Sequence, residues 1–365
     1  MRRRGVAAAL FFLTAMACAV GGGFEARDPG PPGTTADLEA PGGILAYGAA
    51  CAARMGSIPS FDCRDGVVAR ITVDGVEPAP GSYLPDMTCD RPALLPPDSG
   101  EVTDGQCVPY SRALVLRDDA ETQIAAFCRQ KLIRPEDTFL YDEIDVIAHD
   151  VRSGSTCWFQ AKADNPRGDP AIGLDGRRVP PPDEAVPPPG APPAATFWRP
   201  PAETAGEKCV RCHDNDPFYY SPFVAQTGQL PANPFGRYAN DIGEPFRAWP
   251  PPVSLEPRGN TCTGCHRIGA TFTCGRGARE SVGLVASEGL DEWARRYPQS
   301  HWMPVANLFT RRQWDVIYEA SVEQLESCCG PDPGEGCRFV PIPGGEAVGS
   351  PGEAVGSPAA RGGRP

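Results

Sequence analysis

Cys209-Val-Arg-Cys212-His213 and Cys262-Thr-Gly-Cys265-His266 repeat one spacing: two cysteines three positions apart, followed at once by a histidine. This is C-x-x-C-H, the c-type haem attachment motif. Two thiols so spaced can each add to one vinyl group of a single haem, and the adjacent imidazole reaches the iron from the same face. The motifs give Cys209, Cys212, Cys262 and Cys265 as attachment residues, His213 and His266 as proximal iron ligands, and two covalent haem c groups as cofactors. The other uses of C-x-x-C are a disulfide, half of a zinc site and a redox-active pair. Structural zinc is uncommon in exported chains with abundant disulfides, and a thioredoxin-like pair needs a βαβ context that the sequence lacks.

The remaining cysteines bear on the compartment. The chain of 365 residues holds 15 Cys and only 4 His. That is too many thiols for a reducing cytosol unless they hold metals or cofactors. Setting aside the four motif cysteines and Cys18 leaves Cys51, Cys63, Cys89, Cys107, Cys128, Cys157, Cys274, Cys328, Cys329 and Cys337, an even set able to close five disulfides. The first six precede a proline-rich stretch and the last four follow it, so each half could pair internally, with neighbours Cys328 and Cys329 going to different partners.

Residues 1–17 read as a signal peptide. Met1-Arg-Arg-Arg4 is the positive start, 6–17 the short apolar run, and Ala15-Met16-Ala17 the cleavage site. Cys18 at that site allows two outcomes, a lipid anchor on Cys18 as in a bacterial lipobox, or ordinary cleavage after Ala17. The expectation is an exported protein, periplasmic or an outer-membrane lipoprotein of a Gram-negative bacterium, touching a membrane only through Cys18. A mean hydropathy of −0.30 excludes a polytopic membrane protein. A net charge of −12 argues against nucleic acid and favours basic redox-protein partners.

Elements must position the two motifs. Gly (41) and Pro (43) together run at about twice ordinary usage, so loops and linkers dominate. After a flexible tether at 18–42, residues 43–178 read as a disulfide-rich domain with short strands at 67–73, 112–116 and 156–160, and a turn at Asp74-Gly75. Asp118-Asp-Ala-Glu121 has capping-box spacing, and Ile124, Phe127 and Leu132 follow at near-helical intervals, so one helix is expected there. Residues 179–196 carry two proline runs and read as an extended, semi-rigid linker. Residues 197–342 hold both motifs. They include a short helix on Leu290, Trp293, Ala294 and Tyr297. A longer one is capped by Thr310-Arg-Arg-Gln313, carries Trp314, Ile317, Tyr318, Val322 and Leu325 on one face, and stops at Gly330. The tail at 343–365 repeats Gly-Glu-Ala-Val-Gly-Ser-Pro and cannot bury a core, so it reads as disordered.

Each iron also needs a distal ligand or keeps an open position. Candidates outside the motifs are His149, His301, Met55, Met87 and Met303. His149 lies in a strand-like stretch, Ile144-Asp-Val-Ile-Ala-His-Asp150. It is either a hydrogen-bonded core histidine or the distal ligand of the Cys209/Cys212 haem across the domain interface.

With these residues in view, the chain resembles a diheme c-type cytochrome, of the kind found among exported, Cys-rich cytochrome-c-like lipoproteins of environmental Gram-negative bacteria. The resemblance rests on the two motifs and on Trp302-Met303-Pro304, and covers about 209–340. It implies an α+β chain: the disulfide-rich domain with short strands, the proline-rich linker, then a mainly α-helical, class-I-like cytochrome c domain carrying two haems. In class I cytochromes c the distal Met precedes a Pro and a C-terminal helix. This implies Met303, 37 positions after His266, as distal ligand of the second haem, with His301 competing in the same loop. Cys209 and Cys262 are 53 positions apart, too few for two tandem domains of this kind, so both haems share one core. The aromatics between the motifs, from Phe218 to Trp249, then pack on the haem faces.

The implied function is transfer of single electrons between exported partners. The alternative is a diheme peroxidase-like enzyme with one open haem site, although such enzymes place their haems in two domains with wider motif spacing. A third reading makes the N-terminal domain a docking module of a larger surface complex. No hydrolytic nucleophile set is available, because two of the 4 histidines are committed to iron.

Overall fold

The computed structural model describes residues 43–343 except 74, 85, 86, 88, 90–106, 219, 220, 232, 258, 266, 278–308, 331 and 335. The signal peptide, Cys18, the tether, the helix expected at 290–297, His301, Met303 and the repeat tail therefore lie outside the described residues, as does His266. A five-stranded antiparallel sheet, in the order β1-β2-β3-β5-β6, forms the frame. Its strands are β1 Val67–Val68, β2 Arg112–Asp118, β3 Thr122–Arg129, β5 Glu143–Asp150 and β6 Thr156–Lys162. β4 Leu140–Tyr141 and β7 Leu174–Asp175 pair as a separate ribbon.

The pleat sorts the side chains. Ile144 stands opposite Cys128 and Ala161, Val146 opposite Ala126 and Phe159, and Ala148 opposite Ile124 and Cys157. All nine are buried and make one apolar face. Helix α1, Ile44–Met55, closes that face: the Tyr47 ring packs tilted 5.1 Å from Phe159, and Cys51 is bonded to Cys157. Edge strand β6 is covered as well. Tyr47 Oη accepts the Trp158 amide at 2.9 Å, and the Arg199 amide donates to the Gln160 carbonyl at 2.9 Å.

The opposite face carries Phe127, Asp145, His149, Trp158 and Gln160, one step out of phase with the apolar set. His213, Phe218 and Phe223 are laid over it. His213 packs 5.1 Å from Trp158, Phe218 6.3 Å from His149, and Phe223 6.0 Å from Phe127.

The helix expected from Asp118 is absent, and that segment is β3. Asp119 Oδ1 accepts the amides of Glu121 (2.9 Å) and Thr122 (2.7 Å), making a tight turn between β2 and β3 instead of a helix cap. Ladders on both sides and the Cys63–Cys128 disulfide outweigh the local spacing. The strand expected at 67–73 shrinks to β1, with Val73 and Val76 bridged around Gly75 at φ 75°. The stretch 179–196 lies against the body. Val179 is buried and bridged to Phe61, and Trp198 Nε1 donates to the Pro180 carbonyl at 2.9 Å. Pro182 lies so close to α1 that a Cβ at Gly48 would meet its carbonyl carbon at 2.6 Å.

The C-terminal half does not form the mainly α-helical cytochrome c domain that the resemblance implies. Among the described residues of 197–342, the regular pieces before the last helix are short: α2 Ala194–Phe197 ends there, then α3 Pro201–Gly206 and α4 Pro222–Ala225. Single 3₁₀ turns at Cys209–Arg211, Glu244–Ala248 and Cys262–Gly264 and a π turn at Thr273–Gly277 make up most of the rest. Prolines recur from Pro200 to Pro257, each removing an amide donor and blocking the preceding turn, so helices cannot extend. Among the described residues the dominant feature is the five-stranded antiparallel sheet, and long helices are few.

The exception is α5, Arg311–Cys329, which begins in the expected Thr310/Gln313 capping box and ends at Gly330. It buries Trp314, Val322 and Leu325, whereas Ile317 is exposed. β8 Val253–Leu255 and β9 Phe339–Pro341 pair beside it.

Apart from Cys18, the cysteines outside the motifs form five disulfides. Cys51–Cys157, Cys63–Cys128 and Cys89–Cys107 lie before the proline-rich stretch, and Cys274–Cys329 and Cys328–Cys337 after it. This density is compatible with an exported protein. Among the described residues no helix is long and apolar enough to cross a membrane.

Candidate functional site

The first motif is one tight turn. After α3, Lys208 takes a left-handed conformation (φ 58°), and the 3₁₀ turn of Cys209–Arg211 comes next. The amides of Cys212 (3.1 Å) and His213 (2.9 Å) both donate to the Cys209 carbonyl, which gathers two thiols and one imidazole on a single loop. His213 Nδ1 lies 2.9 Å from the Pro217 carbonyl, an acceptor only, so the proton sits on Nδ1 and the basic lone pair on Nε2. Burial pushes this imidazole down to about 4, against the Pro217 bond, and holds it in the neutral form that ligates metals. Tyr238 Oη donates to the His213 carbonyl at 2.7 Å. Cys209 packs on the main core, where burial and then the nearby Asp145 and Glu143 raise its thiol above the ordinary range. Beside the turn runs a cleft of about 680 Å³, lined by Val210, Arg211, Ala205, Trp249, Pro251 and Thr271 among others.

The second motif is a similar turn, with the Cys265 amide 3.3 Å from the Cys262 carbonyl. Asn260 positions it. Its Oδ1 accepts the Cys262 amide at 2.9 Å, and its Nδ2 donates to the Ser321 carbonyl of α5 at 2.7 Å. The Thr261 amide donates to Ser321 Oγ at 3.0 Å. Cys262 packs against the small core of Leu255, Ile268, Cys274, Leu325 and Cys328, and burial raises its thiol; Cys265 is exposed.

Residues just after each motif tie the two turns together. Asp214 Oδ2 accepts the Thr271 amide (2.8 Å), Thr271 Oγ1 (2.8 Å) and the Thr273 amide (3.3 Å), and Oδ1 accepts Thr273 Oγ1. Asn215 Nδ2 donates to the Arg267 carbonyl, and the Phe272 amide to the Arg211 carbonyl at 3.2 Å. None of these residues stands out in the sequence. Asp-Asn directly after the first histidine and Thr-x-Thr after the second are the only signals, and neither has a distinctive spacing.

His149 is on the same sheet face as the first motif. It is buried, its Nδ1 is 3.0 Å from Thr156 Oγ1 directly across the ladder, and burial pushes it down to about 4. Met55, the last residue of α1, is buried in the main core, and Met87 packs in a small cluster near Tyr83. Asp216, three positions after His213, is buried. Its Oδ1 accepts the Phe218 amide at 2.9 Å, and among the described residues its Oδ2 has no hydrogen-bond partner.

The donor set of the first turn fits a covalently held haem. Among the described residues the four motif cysteines are the ones that form no disulfide. The histidine beside the first pair is neutral, with its orientation set by a carbonyl, as metal-binding histidines usually are. The adjoining cleft reaches Val210 and Arg211 of this turn, and its lining includes neither thiol nor the imidazole. Among the described residues no three His, Cys, Asp or Glu side chains gather as an all-protein metal-ion site would require. No family model, no curated protein and no solved structure matches the chain.

Proposed function

We propose that the protein is a diheme c-type cytochrome that passes single electrons between exported redox partners. One observation carries the reading: the first C-x-x-C-H turn presents two thiols outside every disulfide, next to a neutral histidine locked by the Pro217 carbonyl. Haem c, when bound, supplies an iron that cycles between ferric and ferrous states. Cys209 and Cys212 attach one haem, and Cys262 and Cys265 the other. His213 and His266 are the proximal ligands, and His149, His301 and Met303 are the distal candidates. Pro217 and Trp158 hold the His213 ring, and Asn260 and Ser321 hold the second turn. We place the protein in the periplasm or, anchored by a lipid on Cys18, on the outer membrane. Its net charge of −12 selects basic partners, with association weakening as salt rises.

The test is to express the full chain in a host that attaches haem c, and to record its mass and its oxidised, reduced and CO-treated spectra. Two covalent haems in the wild type and one in Cys209→Ala/Cys212→Ala are expected, with unchanged spectra under CO. A chain of bare polypeptide mass refutes the reading. CO binding at one haem in full yield replaces electron transfer with the peroxidase-like alternative.

A further inference from the structure

We propose that Asp214, helped by Asn215, is a clasp that sets the separation of the two C-x-x-C-H turns and hence electron exchange between the two haem sites. The inference rests on the haem reading above. Every hydrogen bond described for the Asp214 carboxylate comes from Thr271 or Thr273, 57 and 59 positions away and just beyond the second motif. A buried carboxylate is costly unless it is fully hydrogen-bonded. Here that requirement is met wholly by the other loop. The two carboxylate oxygens and two residues' amides and hydroxyls leave little choice of geometry, which a greasy contact would not achieve.

Three further features point the same way. Asn215 grips the Arg267 carbonyl, next to His266 in sequence. The Arg211 carbonyl, inside the first motif, receives the Phe272 amide at 3.2 Å. Gly269 is pressed so close that a Cβ there would collide with the Asp214 carboxylate. On its far side the second turn is bound to α5 through Asn260 and Thr261. The second motif is thus held between α5 and the clasp. Electron exchange between two centres falls steeply with distance, so a clasp that fixes this spacing is a positioning device for the pair.

The experiment uses the haem-loaded full chain as wild type, Asp214→Ala, Asp214→Asn and Gly269→Ala. Two readouts are taken: hydrogen exchange at the Thr271 and Thr273 amides, and the first-order rate at which the two haems exchange an electron after photoreduction. Asp214→Ala is expected to speed amide exchange about tenfold or more, as loss of buried hydrogen bonds does. Inter-haem exchange should slow several-fold at full haem content and with unchanged absorption bands. Asp214→Asn, which keeps an acceptor oxygen, should recover part of both. Gly269→Ala keeps every hydrogen-bonding group while displacing the loop, and serves if Asp214→Ala does not fold; it too should slow inter-haem exchange. Faster amide exchange with an unchanged inter-haem rate overturns the proposal, leaving Asp214 a purely structural residue. A wild type without two haems is a separate failure, that of the cytochrome reading, and is visible by mass before any variant is made.

Discussion

Asp216→Asn should raise stability at pH 8 far more than at pH 5. Burial, opposed by the Phe218 amide and by Arg267, lifts this carboxyl from an ordinary value of 3.8 to about 7. Below 3.8 the group is neutral both folded and unfolded. Between 3.8 and 7 only the unfolded chain releases the proton, so the contribution to stability falls as pH rises. Above 7 the folded carboxyl ionises as well, and the loss is complete. At about 1.36 kcal/mol per unit of pH, the loss between pH 5 and pH 7 is about 2.7 kcal/mol. Asparagine retains Oδ1 for the Phe218 amide, 2.9 Å away, and cannot ionise. Its Nδ2 replaces an oxygen without a hydrogen-bond partner, and whatever that exchange costs is the same at every pH. The stability difference between variant and wild type should therefore grow by about 2.7 kcal/mol from pH 5 to pH 8. Urea unfolding followed by far-UV circular dichroism measures it at both pH values, and all other titrating groups cancel in the difference. An equal difference at the two pH values refutes a buried, pH-raised Asp216.

The same method applied to His149→Gln should flatten the pH dependence in the opposite direction: burial lowers His149 from 6.5 to about 4, so the wild type loses about 3 kcal/mol as pH falls through that window. Equal slopes would remove the buried neutral histidine, and a shifted haem band in this variant would mark His149 as a ligand. Thr310→Ala deletes the acceptor of the Gln313 amide, 3.3 Å away, and should cost about 1 kcal/mol in thermal unfolding; no change would mean that α5 does not depend on its cap. Replacing Cys51 and Cys157 by serine opens a link spanning 106 residues and should cost about 2–5 kcal/mol, with α1 losing amide protection first; simultaneous loss across the sheet would contradict an outer α1.

The features legible in the sequence are local ones. The two C-x-x-C-H turns are defined by spacing within five residues, and α5 by a capping box within four, so neither depends on distant partners. β5 and β6 show themselves through β-branched and aromatic residues. β3 does not, because Ile124 and Phe127 happen to fall at near-helical spacing; ladders to β2 and β5 decide its conformation. The parity of the disulfides is visible in a count, whereas their pairing is a property of the fold. The helical cytochrome domain came from resemblance alone. The prolines between Pro200 and Pro257 already opposed it, since a proline can open a helix, as Pro201 and Pro222 do, but breaks one it falls inside. Asp214 was invisible because all its hydrogen-bond donors lie more than fifty positions away.

That helical expectation also hid the role of the N-terminal half, which is a platform for the first motif. Trp158 stands on edge strand β6 with its indole Nε1 donating to Asn240 Oδ1 at 3.1 Å and its amide to Tyr47 Oη at 2.9 Å. The indole is therefore fixed at both its backbone and its rim. It meets the His213 ring at 5.1 Å, while the Pro217 carbonyl fixes the same ring through Nδ1. The neighbouring residue Cys157 is bonded to α1, so the helix, the edge strand and the imidazole form one mechanical chain. A strand locked by ladder, disulfide and side-chain hydrogen bonds moves less than a loop, and sites built on such elements hold their geometry better. The irregular, proline-rich C-terminal half carries the two C-x-x-C-H motifs, and the sheet supplies the stiffness that a bundle of helices would otherwise provide.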